Sequence, residues 1–150
     1  YTHVLVGPAS VSLLKMKFPK RRQEVATEFG YPMYAEGLRR AVEFLAPLGV
    51  PIEITENGVA DASDTLRTEH LKRHLWVLSQ AIHDGHDVRS YHHWSLMDNF
   101  EWAEGYKMRF GLHHVDFTTQ ERTLRSSGEA YKRIVQNSRT PSNPDVVLSR

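Results

Sequence analysis

Cysteine is absent from the 150-residue sequence, which excludes a disulfide framework and any thiolate metal site. Long apolar runs are absent too. No stretch approaches the roughly 20 residues of a membrane-spanning helix, so no membrane role is expected. Neither sign of charge dominates: 19 Lys and Arg stand against 18 Asp and Glu, a formal net charge of +1. That balance gives no electrostatic footprint for nucleic acid or an anionic surface. There is no internal repeat and no low-complexity segment. The opening Tyr1-Thr2-His3-Val4-Leu5-Val6 has no Met and no basic flank before an apolar core, so no signal peptide is expected there, and a cytoplasmic setting is. Strand-like content at the first residue points to a piece of a larger domain.

What is present suits one globular domain. Hydrophobic residues make up 40% and charged residues 25%, enough for a core and close to the soluble average. Strand-like Tyr1–Val6 ends at Gly7-Pro8, and the basic run Lys15 to Arg22 reads as a solvated surface loop. From Met33 or Tyr34 a helix is predicted, with Tyr34, Leu38, Ala41, Val42 and Leu45 at spacings of three and four. Leu48-Gly49-Val50-Pro51 breaks it. Ile52-Glu53-Ile54-Thr55 is β-branched and is stopped by Asn57-Gly58. A helix is predicted from about Leu66 to His83, with Leu71, Leu75, Leu78 and Ile82 as its apolar stripe and Asp84-Gly85 as its end. Val88 to Trp94 is a strand, Phe110 to Phe117 is extended, Thr118 to Thr123 turns, and Ser127 to Asn137 is a helix. Residues 1–137 are thus expected to form the domain portion, with 138–150 a polar tail containing Pro141 and Pro144.

Strand, helix, strand, helix, strand, helix implies an α/β fold with parallel strands and helical crossovers. Three strands leave two open edges, which closure into a (β/α)8 TIM barrel of about 250 residues would remove. The chain is therefore expected to supply the last three β/α units of such a barrel. In that fold the site lies at the C-terminal ends of the strands. Those ends carry Tyr1-Thr2, Glu56-Asn57 and Trp94-Ser95, and the loop after the last adds Asp98, Glu101, Trp102, Glu104 and Tyr106. Aromatic faces pack on the C–H faces of sugars and carboxylates accept from their hydroxyls, so a carbohydrate site is plausible.

Ile54-Thr55-Glu56-Asn57-Gly58 together with Trp94-Ser95-Leu96-Met97-Asp98-Asn99-Phe100-Glu101-Trp102 resembles glycoside hydrolase family 1, the β-glucosidase and β-galactosidase family. The likeness extends through Tyr1-Thr2, Gly30-Tyr31, Tyr34 to Leu38, Arg109 to Leu112, Val115-Asp116-Phe117 and Arg122 to Ser126. The resemblance implies a retaining β-glycosidase with Glu56 as nucleophile and the Tyr1 phenol orienting it. It implies Trp94 as the platform under the sugar in the −1 subsite. Glu101 would take the 4- and 6-hydroxyls and the Trp102 indole N–H the 3-hydroxyl. Tyr31 stands at the aglycone side, where the family often has Trp. The substrate implied is a terminal β-glucoside or a related small glycoside, and no cofactor is implied.

Nothing in the sequence resembles the family's Thr-x-Asn-Glu-Pro acid/base segment, and Glu53 lies below the rim. Retaining chemistry needs a second carboxyl roughly 5–5.5 Å from the first. The partner expected is the N-terminal barrel half that carries it, and the chain alone is expected to be inactive. Two alternatives stand beside this reading. One is a 6-phospho-β-glycosidase of the same family, whose members typically have Ser where this chain has Glu101. The other is a catalytically inert half-barrel that folds or binds. Metal binding is not expected: His92-His93 and His113-His114 point to opposite faces within each pair, and His70 and His74 lack a third ligand. An oligomer is compatible with all of these readings.

Overall fold

The computed structural model describes residues 25–138. The strand expected at Tyr1–Val6, the run Lys15–Arg22 and residues 139–150 lie outside them. Helix α1 spans Glu36–Leu45, where the sequence predicts a start two residues earlier. Its i,i+4 pair Arg39–Glu43 stabilises the exposed face, and Arg39 also reaches Asp84 at 2.7 Å. Pro47 turns the chain into a short 3-10 segment, Ala46–Leu48, and Gly49 ends it at φ 68°, a left-handed position that suits glycine.

Strand β1 is Ile52–Asn57 and β2 is Val88–His93, paired parallel with Ile54 opposite Tyr91 and Asn57 opposite His93. A parallel pair needs a crossover, and α2, Arg67–His83, supplies it. Val42 of α1 and Leu78 and Ala81 of α2 close over Ile52 and Ile54, with Leu38, Val88 and Tyr91 at the margin. Burying an Ile or Leu side chain contributes about 1.5–3 kcal/mol, so this cluster sets the register of helices on strands. The alternate residues Glu53 and Thr55 are exposed on the opposite face.

The buried face of α2 differs from the predicted stripe. Leu71 and Leu78 are buried as expected, but Ile82 is 51% exposed. Arg67, His70 and His74 are buried in their company. Beyond β2 the extended segment is shorter than predicted: β3 is His113–Val115, and β4, Arg122–Leu124, pairs back on it antiparallel. The sequence assigned Arg122-Thr123 to a turn. The turn is instead closed by Asp116, whose Oδ1 accepts from the amides of Thr118 and Thr119. Helix α3 runs Ser126–Ser138, one residue longer than expected at each end.

Two glycines are fixed by close approach. A Cβ at Gly58 would lie 1.8 Å from the Trp94 carbonyl oxygen, and one at Gly111 would lie 2.2 Å from the Asp98 nitrogen. Gly58→Ala is therefore expected to force the ends of β1 and β2 apart and to cost about 2–3 kcal/mol. A urea unfolding midpoint unchanged by Gly58→Ala would contradict that contact.

Candidate active site

Because β1 and β2 run parallel, their C-terminal ends share one edge. Glu56 is the penultimate residue of β1, and Trp94 follows β2 directly. The two ends are tied: Trp94 N–H donates to the Asn57 carbonyl at 2.9 Å, and the Tyr91 hydroxyl donates to Asn57 Oδ1 at 2.9 Å. Asn57 is buried, while Glu56 beside it is exposed. The Trp94–Ser95 peptide bond is cis.

Tyr31 and Glu101 meet across a cleft of about 290 Å³ that Phe29, Gly58, His70 and Phe110 also line. Phe29 stacks on Tyr31 with ring centroids 5.0 Å apart. Glu56, Trp94 and Trp102 lie outside that lining. Trp102 is 81% exposed and opens a 3-10 turn, Trp102–Glu104, closed by Gly105. The structure thus brings Tyr31 and Glu101 to one cleft and puts Glu56 and Trp94 on neighbouring strand ends. Trp102 is held out into solvent. Tyr1 lies outside the described residues.

One carboxylate expected on the rim is not there. Asp98 has no side-chain exposure. Its Oδ1 accepts from Gly111 N–H and Arg125 Nη1, both at 2.9 Å, and its Oδ2 from Val115 N–H at 3.2 Å and Arg125 Nη2 at 3.1 Å. Burial pushes this carboxyl up, but the Arg125 hydrogen bonds and the two amides outweigh it and hold it below the usual carboxylate range. Asp98 is committed to the protein.

A second ionic group lies behind the end of β1. Asp61 Oδ2 accepts from the amides of Leu66 and Arg67 at 2.7 and 3.0 Å, which caps α2. Arg67, fully buried, binds Asp64 and the carbonyls of Asp61 and Arg109. Asp64 in turn accepts from Ser127 N–H at 2.9 Å, which holds the first turn of α3. Arg109 Nη1 donates to the Val115 carbonyl at 3.1 Å and lies 3.5 Å from Asp98. Asp61, Asp64 and Asp98 are thus matched by Arg67, Arg109 and Arg125. Nothing in the local sequence pattern signals that Arg109 and Arg125 complete this set with Asp61, Asp64 and Arg67.

Three histidines sit beside this group. His70 and His74 stack at 3.8 Å, and His74 Nδ1 is 2.8 Å from the His70 carbonyl. Burial, then the neighbouring His74 and His93, pushes His70 down to about 2. Burial and the Arg67 charge take His93 down to about 4. Burial lowers His74 as well. All three are neutral bases at physiological pH. Among the described residues, no group of three or more His, Asp or Glu is placed to hold a metal ion.

The sequence model of the family described as Glycosyl hydrolase family 1 matches residues 9–140. A β-glucosidase of an Agrobacterium species is 43% identical over 121 residues, covering 74% of this chain and 26% of the relative. A β-galactosidase of Pyrococcus woesei is 41% identical over 112 residues, covering 74% of this chain and 22% of the relative. Among solved structures, the β-glucosidase of Pyrococcus furiosus superposes with a TM-score of 0.76 at 43% identity, covering 83% of this chain and 26% of that one. A Thermotoga maritima β-glucosidase in complex with galacto-hydroximolactam gives 0.74 at 35% identity, covering 81% and 30%. The chain therefore spans about a quarter of the length of the relatives it matches. The likeness carries the (β/α)8-barrel fold that the alternation of elements predicts.

The buried histidines make a pH prediction. In the unfolded chain each imidazole takes up a proton as the pH falls through about 6.5, whereas His93 in the fold stays neutral to about 4 and His70 to about 2. Their contribution to stability is complete above 6.5 and drains below it, by about 1.4 kcal/mol per pH unit for each ring held neutral. The urea midpoint is expected to fall between about pH 6.5 and 4, and His93→Gln should flatten that slope. A midpoint that stays level over this range would contradict the buried, neutral state.

Proposed function

The chain belongs to glycosyl hydrolase family 1, and on that premise we propose that it is the C-terminal part of a retaining β-glycosidase of the β-glucosidase type. In this reading it contributes the last three β/α units of the barrel and carries Glu56 as the nucleophile. The observation that carries the reading is an exposed carboxylate, Glu56, at the C-terminal end of a strand whose parallel neighbour ends on Trp94. Barrel enzymes place chemistry at that edge.

The reaction is a double displacement. The Glu56 carboxylate attacks the anomeric carbon, the aglycone leaves with a proton from a general acid, and a glycosyl ester forms on Glu56. Water, deprotonated by the same acid/base group, then attacks the anomeric carbon and releases the sugar and Glu56. The acid/base carboxyl comes from outside these 150 residues, in the N-terminal barrel half, within reach of the roughly 5–5.5 Å separation of retaining enzymes. Tyr1 orients Glu56, Trp94 lies under the sugar, Glu101 takes the 4- and 6-hydroxyls, Trp102 the 3-hydroxyl, and Tyr31 faces the aglycone. What supports the last assignment is the shared cleft of Tyr31 and Glu101. A carboxylate at Glu101 repels a 6-phosphate, which favours the unphosphorylated sugar over the 6-phospho substrates of other family members.

Expressed alone, the chain is expected to leave an aryl β-glucoside intact. Co-expression with a segment bearing Thr-x-Asn-Glu-Pro should restore turnover, and Glu56→Ala should remove several orders of magnitude of it, with partial rescue by azide. Full turnover by Glu56→Ala would sink the assignment. Replacing Glu101 by Gln keeps the shape and weakens charge-assisted hydrogen bonds by roughly 1–2 kcal/mol. Glucoside kcat/KM should then drop about tenfold, and an unchanged value would remove Glu101 from the sugar site.

A further inference from the structure

Glu101 and Trp102 stand on an excursion of the chain between Asp98 and Gly111, and their own side chains do little to fix it. Among the described residues the Glu101 carboxylate accepts no hydrogen bond, and the Trp102 ring is largely in solvent. Backbone bonds close the local turn, among them Glu101 N–H to the Gly105 carbonyl at 2.7 Å, Glu104 N–H to the Glu101 carbonyl at 2.9 Å and Gly105 N–H to the Trp102 carbonyl at 3.1 Å. The foot of the excursion is different. There the Asp98 carboxylate binds the amide of Gly111 on the returning segment, and the Arg125 guanidinium binds both Asp98 oxygens and the Gly111 carbonyl at 2.6 Å. The two sides are pinched so tightly that Gly111 has no room for a Cβ. From the foot, Arg109 leads outward: it lies 3.5 Å from Asp98 and over the Phe117 ring at 4.4 Å. Phe117 packs on Tyr106 at 4.4 Å, and Tyr106 meets Phe100 edge-on at 5.4 Å, next to Glu101.

We propose that Asp98 and Arg125 are positioning residues for sugar selection: their ion pair fixes the foot of the excursion and so sets how far Glu101 reaches toward the 4- and 6-hydroxyls. This rests on the reading of Glu101 as the carboxylate that takes those hydroxyls. Neither Asp98 nor Arg125 touches the substrate. Arg125 immediately precedes α3, so the reach of Glu101 is referred to the frame of helices and strands and not to the rim itself. The pair is bidentate, which fixes angle as well as distance.

Asp98→Asn turns one acceptor into an NH₂ group facing N–H donors and can abolish folding, so Arg125→Lys is the test. Lysine keeps the charge and loses the planar fork. In the active enzyme that contains this chain, kcat/KM is measured for p-nitrophenyl β-glucoside and for p-nitrophenyl β-xyloside, which lacks the hydroxymethyl group and with it the 6-hydroxyl. Arg125→Lys is expected to lower the glucoside value about tenfold, mostly through KM, and the xyloside value, which keeps the 4-hydroxyl but has no 6-hydroxyl to lose, by about threefold, so that the preference between them shrinks. Glu101→Gln, run beside it, should shrink the same preference. A preference kept by Arg125→Lys but lost in Glu101→Gln overturns the positioning role alone. Equal losses on both sugars in Arg125→Lys, tracking its thermal midpoint, also overturn it, because they report a weakened fold. A preference kept by Glu101→Gln overturns the sugar-reading assignment and the proposal that rests on it.

Discussion

The carboxylate of Asp98 and the guanidinium of Arg125, buried together behind the strand ends, form the contact on which the surrounding architecture depends. They bring the chain just past β2, the hairpin β3–β4 and the start of α3 to one point. Through Arg109 the contact joins the Asp61–Asp64–Arg67 group, which caps α2 and holds Ser127 of α3. Three acids balance three arginines, so the assembly buries charge without net charge. Ion pairs of this kind add little stability over an apolar packing, but breaking one leaves an uncompensated charge inside. The consequence is geometric definition: the segment after Glu56 and the segment after Trp94 share one rigid support. The cleft between Tyr31 and Glu101 opens above it.

Apolar pattern made much of the frame legible. Ile52 and Ile54 alternate with Glu53 and Thr55, and Asn57-Gly58 marks the end of β1, so strand and stop were visible in sequence. The helix of α2 was visible as well, but its buried face was not, because Arg67, His70 and His74 read as polar positions. Arg67 is buried through a carbonyl 42 residues away and Asp64 is satisfied by Ser127, 63 residues away. Local periodicity carries no information about partners at that separation. The hairpin strand Arg122–Leu124 escaped for a related reason: it is short and polar, and pairing with β3 rather than propensity makes it a strand. Asp98 was misplaced on the rim because a carboxylate in an aromatic loop looks the same in sequence whether it faces a sugar or an arginine.

The candidate site was legible in a different way. Spacing alone marked strand ends with carboxylates and aromatics, and the individual roles came from resemblance to a family. The parallel pair puts Glu56 and Trp94 on the same edge, and the glycines at 58 and 111 keep the supporting segments in contact. The exposed face of β1, with Glu53 and Thr55, suits a sheet whose remaining strands close around it. A site built from strand ends around a closed sheet needs every strand in register. The ionic contacts of Asp98, Arg125, Arg109 and Arg67 hold the segments after β1 and β2 together.

The most direct test of the central claim is covalent. The full-length protein that contains this chain is incubated with an activated 2-deoxy-2-fluoro-β-glucoside, whose fluorine slows hydrolysis of a glycosyl ester more than its formation. It is then digested and mapped by mass spectrometry. A single fluoroglucosyl adduct is expected on the peptide that contains Ile54 to Gly58, with the sugar on Glu56. An adduct on Glu101, Glu53 or any other carboxylate would contradict the claim.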